Sequence, residues 1–327
     1  MNGVVLLTVA AVMYKVFKGS FDEIWEQLRA MTVKTIFYLV LCSVFFNVIE
    51  GASYYLMAKK YNQNFKYIQG LGCSYYCAFF KLATLGSGTA VSGMYYLSGY
   101  QIPPSASFGM ITINYICQKI AVVLLCIIGF LSFYPDMKHY YSDYFKYLLP
   151  GILITVIVVI VLLAVCLYKR FHDFLLFLSG KIVKNEKIRA KLEIFRQKLI
   201  MVRIESRNML KDKKELGKLI LLNMIKFIGW YMIPCVILGY SDLSKILFSV
   251  SISALAMALI GVIPAPGAAG STEAVFYALF CFITLDSKAA AIMILYRMFT
   301  YFLPFFVGTG VIMVKRGKKA VQPPVTF

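Results

Sequence analysis

Residues 148–168 read LLPGILITVIVVIVLLAVCLY, twenty-one positions without a charge. A run of about 20 apolar residues matches the thickness of a bilayer's hydrocarbon core. Four more stretches meet the same criterion with one charge each. Thr35–Ala58 carries Glu50, Ser105–Tyr134 carries Lys119, Leu219–Tyr240 carries Lys226 and Ala289–Val314 carries Arg297. In hydrocarbon the backbone has no water to bond, so such runs fold as helices or closed barrels. Composition agrees: 60% of the residues are hydrophobic and 15% charged, where a soluble domain carries about a quarter charged. Near the start, GVVLLTVAAVMYKVF would also reach across if Lys15 snorkels to the headgroups. It lacks a basic leader and an A-x-A cleavage pattern, so it is expected to be a retained helix.

The net charge of +19 is clustered. Fifteen Lys/Arg stand against six Asp/Glu between Lys169 and Lys218, and further basic groups lie at Lys59, Lys60 and Lys66 and at Lys315–Lys319. Positive loops stay cytoplasmic, which places these clusters and both termini inside. No nucleic-acid-binding motif accompanies them. Residues 186–210 set Ile188, Leu192, Phe195, Leu199 and Val202 at helical spacing. That segment reads either as an amphipathic helix on an anionic leaflet or as one packed on the protein itself. The eight cysteines sit mostly in apolar segments, with no His or carboxylate set to complete a metal site, and no cofactor is expected.

Two apolar segments are interrupted. TLGSGTAVSGMYYL breaks 67–98, and PAPGAAGSTEAVFYAL breaks 243–287. After the first break Thr89–Leu97 gives about 14 Å of helix, and after the second Thr272–Leu285 gives about 21 Å, both short of the ~30 Å core. Both segments therefore read as re-entrant helical hairpins, the first entering from the cytoplasm and the second from outside. The expected fold is an all-α polytopic membrane protein of six full transmembrane helices plus two re-entrant hairpins. The order helix, helix, hairpin, helix occurs twice, over 1–147 and 148–327, and three full spans per half make it an inverted-topology repeat. Broken helices in inverted repeats mark the mid-membrane sites of transporters.

Irregular backbone at membrane depth must face protein or a wet cavity. Candidate lipid-binding residues are thus Gly86, Gly88 and Thr89 at the first break and Gly267, Gly270, Ser271 and Thr272 at the second. Ser271 or Thr272 is the expected N-cap of the arm carrying Glu273, where the helix dipole favours a carboxylate. The other reading of these small residues is close helix packing. Ionisable groups inside spans face partners or water. Glu273 and Arg297 form the sharpest candidate pair. Lys119 and Lys226 suit lipid phosphate, Glu50 or a snorkelling position equally.

The breaks carry a resemblance. Pro264, Pro266, Gly267, Gly270 and Glu273 are similar to the P-x-P-G-G-x-G-x-x-E pattern of the transmembrane, flippase-like region of bacterial lysylphosphatidylglycerol synthetases, with Ala268 replacing a glycine. Arg297 in LYRMFTYFLP looks like the arginine of that family's following helix. The first break looks like the family's other glycine-rich break, with Leu85 where proline is usual, and Gln118-Lys119 stands in place of a Glu-Arg. The resemblance covers essentially the whole chain. It implies movement of an anionic or aminoacylated phospholipid, or another lipid-linked headgroup, between leaflets of a bacterial-type plasma membrane, and a link to antimicrobial-peptide resistance. In full-length synthetases a soluble acyltransferase-like domain aminoacylates phosphatidylglycerol from aminoacyl-tRNA. None is expected after Phe327, so the chain alone is not expected to be a lysyltransferase. A separate soluble aminoacyltransferase and a second copy of the chain are candidate partners. The alternatives are the membrane half of a lipid-modifying enzyme and a non-transporting membrane subunit.

Overall fold

The structure, a computed structural model, describes residues 31–142, 145–167, 212–261 and 270–319 together with Glu26 and Arg29. The first apolar stretch, the 186–210 segment and Pro264–Gly267 lie outside the described residues. Those described form helices: α1 (Val33–Ala58), α2 (Tyr67–Ala83), α3 (Thr89–Ser98), α4 (Pro104–Ser132), α5 (Tyr134–Tyr140), α6 (Phe145–Leu167), α7 (Lys213–Leu238), α8 (Leu243–Ile260), α9 (Ser271–Phe280), α10 (Asp286–Arg297), a π-helical turn (Met298–Phe302) and α11 (Leu303–Lys319).

Polarity runs inside out. On α1 the buried face includes Ser43, Asn47 and Glu50 beside Leu39, Phe46 and Met57, whereas Phe37 is 63% exposed. Leu131 on α4 and Ile160 on α6 are 67% and 58% exposed. Large apolar side chains turned outward over polar ones turned inward suit a hydrocarbon solvent. Among the described residues five helices are long and apolar enough to cross a membrane: α1, α4, α7, α8 and the continuous α10–α11 rod. The protein is an all-helical, polytopic membrane protein.

Helix ends follow local chemistry. Thr32 caps α1 by accepting the Thr35 N–H at 3.3 Å, and Asp212 caps α7 by accepting that of Glu215 at 3.2 Å. Pro104 opens α4 at its first turn, where a missing N–H costs nothing. The segment after α4 contains α5, started by Pro135 and Asp136, and one expectation shifts. The arm after the second break ends at Phe280 and not Leu285, because β-branched Ile283 and Thr284 leave the helix, both donating to the Phe280 carbonyl at 3.1 Å.

Close glycine contacts set the packing. A Cβ on Gly70 of α2 would lie 2.4 Å from the Gly51 carbonyl of α1, and one on Gly308 of α11 would lie 2.4 Å from the Tyr75 carbonyl of α2. The α2 helix is thus clamped between α1 and α11. Gly129 of α4 meets Ser251 of α8 in the same manner, and Gly229 of α7 meets Phe45 of α1. The pattern has a twofold character: α1 pairs with α7, α2 with α11, and α8 with α4.

The two broken segments open at opposite ends of α4. Asn62, ahead of α2, donates to the Tyr100 carbonyl after α3 at 3.0 Å, and the Phe65 and Tyr100 rings are 5.5 Å apart. The α2–α3 hairpin therefore starts and finishes beside the N-terminus of α4. The α8–α9 hairpin starts and finishes beside its C-terminus. There Tyr140 meets Phe248 of α8 at 5.5 Å, Tyr141 meets Phe282 at 5.5 Å, and the Tyr141 hydroxyl donates to the Leu279 carbonyl at 2.8 Å. An ion pair of Lys60 with Glu215 holds the end of α1 and the start of α7 on one side of the bundle.

Candidate functional site

The α2 helix carries Lys81 in its last turn, where the dipole favours a cation. Leu85 and Gly86 then take positive φ, 50° and 93°, and turn the chain into α3. The proline expected by resemblance at Leu85 is excluded by this conformation, since its ring fixes φ near −65°. The turn satisfies its own amides. The N–H of Gly86 donates to the Lys81 carbonyl at 2.7 Å, that of Ser87 to the Thr84 carbonyl at 3.2 Å, and that of Gly88 to Thr84 Oγ1 at 2.7 Å. These donors are committed within the loop.

Behind the turn lies a cavity of about 520 Å³. Gly86, Thr89 and Ala90 form one wall, and Asn47 and Glu50 of α1, Ser74 and Lys81 of α2, and Asn114 and Gln118 of α4 supply its polar lining. Trp230, Thr300, Tyr301 and Pro304 close it from the second half of the chain. Pro304 has no N–H for the Thr300 carbonyl, and the π-helical turn ahead of it widens the helix at that point. Thr300 Oγ1 bonds back to the Tyr296 carbonyl at 2.7 Å.

Lys81 is the uncompensated charge in this wall. Its Nζ lies 4.5 Å from the centre of the Tyr301 ring and 5.4 Å from that of Trp230. Such contacts are worth about 2 kcal/mol when desolvated. Among the described residues no carboxylate pairs with it.

Glu50 is compensated in full. Lys226 of α7, with no exposure at all, pairs with its Oε2, while Asn114 Nδ2 and Gln118 Nε2 donate to Oε1 at 2.9 and 3.2 Å. Asn223 extends the network, donating to Asn114 Oδ1 at 3.2 Å. The Lys226 ammonium also sits over the Phe46 and Phe227 rings at 5.2 and 5.3 Å. Of the partners the sequence allows Lys226, the structure selects Glu50. Lys119 stands apart, its Nζ beside Gly261 at the end of α8 and 5.4 Å from the Tyr115 ring.

At the second break the N-cap is Gly270, not Ser271 or Thr272, which occupy the first two helical positions and are buried. Gly270 has φ 79° and ψ −43°, a conformation a Ser or Thr side chain would strain. Glu273 in the third position caps it from below, its Oε2 accepting the Gly270 N–H at 2.9 Å. Its Oε1 accepts from Nη1 of Arg297, which is nearly buried at the end of α10. Arg297 Cζ lies 5.5 Å from the Tyr301 ring. Tyr301 thus contacts both Arg297 and the cavity's Lys81. Gly267 falls outside the described residues.

Lys81, Trp230 and Tyr301 escape a reading centred on breaks and lone charges in full spans. The available signal was a lysine five residues ahead of Gly86 in an otherwise apolar arm.

Comparison with curated proteins finds no match. The family model described as the lysylphosphatidylglycerol synthase TM region matches residues 3–308. That match spans nearly the whole chain and includes every charged group of the cavity and of both buried pairs. The protein belongs to the family of lysylphosphatidylglycerol synthase transmembrane regions.

Proposed function

We propose that the chain is a lipid translocase that passes a phospholipid or other lipid-linked headgroup between leaflets of a bacterial-type plasma membrane, with both termini cytoplasmic. The observation that carries the reading is the 520 Å³ cavity, mostly apolar but with Asn47, Glu50, Ser74, Lys81, Asn114 and Gln118 in its wall, which Trp230, Thr300, Tyr301 and Pro304 close from the second half of the chain. Pockets of about 300–1,000 Å³ enclose small ligands. A headgroup fits such a space, and the acyl chains then stay in the surrounding hydrocarbon. Building a buried polar wall into a membrane protein is costly unless something polar uses it.

In this reading α2–α3 and α8–α9 are re-entrant hairpins of an inverted repeat. The arms α3 and α9 have ten residues each, about 15 Å, half of what a crossing needs. Rocking of one half against the other about α1 and α7 would expose the cavity to each leaflet in turn. The orientation is tested by single cysteines in a cysteine-free background. Those in 135–147 are expected to react with impermeant thiol reagents from outside, and one at Lys191 only from inside. Function is tested with purified protein in vesicles carrying headgroup-labelled phospholipids, read by chemical quenching of the outer leaflet. Protein-dependent exchange is the expected result. Exchange no faster than in empty vesicles, for anionic, zwitterionic and lysylated lipids alike, overturns the proposal.

A further inference from the structure

We infer that Lys81 is the anion-binding residue of the cavity, and that the site selects a headgroup of one net negative charge, a phosphodiester with no ammonium group, over zwitterionic or lysylated ones. The inference rests on the translocase reading and names its substrate class.

The charge balance of the wall decides the sign. Its two ionisable residues with a full charge at neutral pH are Glu50 and Lys81. Glu50 is cancelled by Lys226 directly behind it, and its oxygens are taken by Lys226, Asn114 and Gln118. Its charge is already balanced and both its oxygens already accept, so it attracts the ammonium of a lysylated headgroup far less than a free carboxylate would. Lys81 keeps all three N–H donors without a hydrogen bond among the described residues. The Tyr301 and Trp230 rings position its ammonium without using up its charge. A cationic headgroup meets a wall of the same sign, and a phosphodiester meets a waiting donor.

The test uses vesicles with labelled phosphatidylglycerol, phosphatidylcholine or lysylphosphatidylglycerol, and the variants Lys81→Gln and Lys81→Arg. The native chain is expected to exchange phosphatidylglycerol at least about tenfold faster than the other two, equivalent to ~1.4 kcal/mol. Lys81→Gln should lose that preference while remaining folded, with a thermal midpoint lowered by no more than the lost ring contacts explain, and Lys81→Arg should retain it. A binding arm separates this inference from the translocase reading. In a Trp25→Phe background Trp230 is the sole tryptophan. Phosphatidylglycerol with a nitroxide near its headgroup should quench it far more when Lys81 is present than in the Lys81→Gln protein. That quenching, seen without exchange, would sustain the binding site while removing the translocase. Equal quenching in a stable Lys81→Gln protein, or a preference for the lysylated lipid, overturns the inference. Competition by millimolar inorganic phosphate would assign the site to free phosphate and also overturn the lipid assignment.

Discussion

Lys226 pairs with Glu50 across the contact between α1 and α7, with its side chain wholly buried. The pair joins the two halves of the chain beside the cavity, so removing one partner strands the other in a dry interior. Breaking a buried pair commonly costs about 3–5 kcal/mol. Glu50→Gln is expected to lower the thermal midpoint in detergent sharply. Glu50→Gln combined with Lys226→Met should recover much of the loss, because no charge then stays unpaired. A midpoint in Glu50→Gln equal to the native one would contradict the burial assigned to Lys226.

The clamp on α2 gives a packing prediction. A methyl group at Gly70 would sit 2.4 Å from a backbone carbonyl of α1, and one at Gly308 equally close to a carbonyl of α2. Backbone cannot swing aside as a flexible side chain would. Overpacking of this kind costs about 1–3 kcal/mol, so Gly70→Ala and Gly308→Ala should each reduce stability. Gly217→Ala is the contrast, since no atom of the described residues lies within 4 Å of its added Cβ on α7 and alanine favours a helix by about 0.8–1.0 kcal/mol. It should hold or raise the midpoint.

Gly270 tests the second break. Its added Cβ meets no atom of the described residues within 4 Å, and its φ of 79° is what opposes a side chain. A residue forced into a sparsely populated conformation costs about 1–3 kcal/mol. Gly270→Ala is expected to destabilise by that route and to disturb the capping bond to Glu273. A crystal or solution measurement showing the Glu273–Arg297 pair unaltered in a fully stable Gly270→Ala protein would refute this account of the turn.

The membrane class, the main spans and the positions of both breaks were legible because apolar run length and glycine placement are local properties. Glu50, Lys226, Glu273 and Arg297 were each legible as odd charges in apolar surroundings, but only packing decides partners. Lys226 could have met lipid, Glu50 or the interface, and the approach of α1 to α7 settled it. The N-cap escaped because Ser271 and Thr272 are favoured capping types, whereas the turn's backbone required glycine. Lys81 escaped because its neighbours in space, Trp230 and Tyr301, lie 149 and 220 residues further along the chain. No spacing rule connects them.

Glu273 and Arg297 differ from the first pair in exposure: the Glu273 side chain is 27% exposed and that of Arg297 5%. Glutamine at 273 keeps an amide oxygen for the Gly270 N–H, and Arg297 keeps its place against Tyr301. Glu273→Gln is therefore expected to cost less than Glu50→Gln, below about 3 kcal/mol. Its effect on lipid exchange should be larger than its effect on folding. Without the carboxylate, Arg297 loses its ion pair with Glu273 beside the Tyr301 ring, and that ring also contacts Lys81. Swapping the charges should not restore exchange. A carboxylate at 297 would face the negative face of Tyr301, and an arginine at 273 cannot accept the capping N–H. Leaflet exchange and melting measured side by side for both single variants and the swap decide the matter. Native exchange in a stable Glu273→Gln protein would leave the pair with a structural role only.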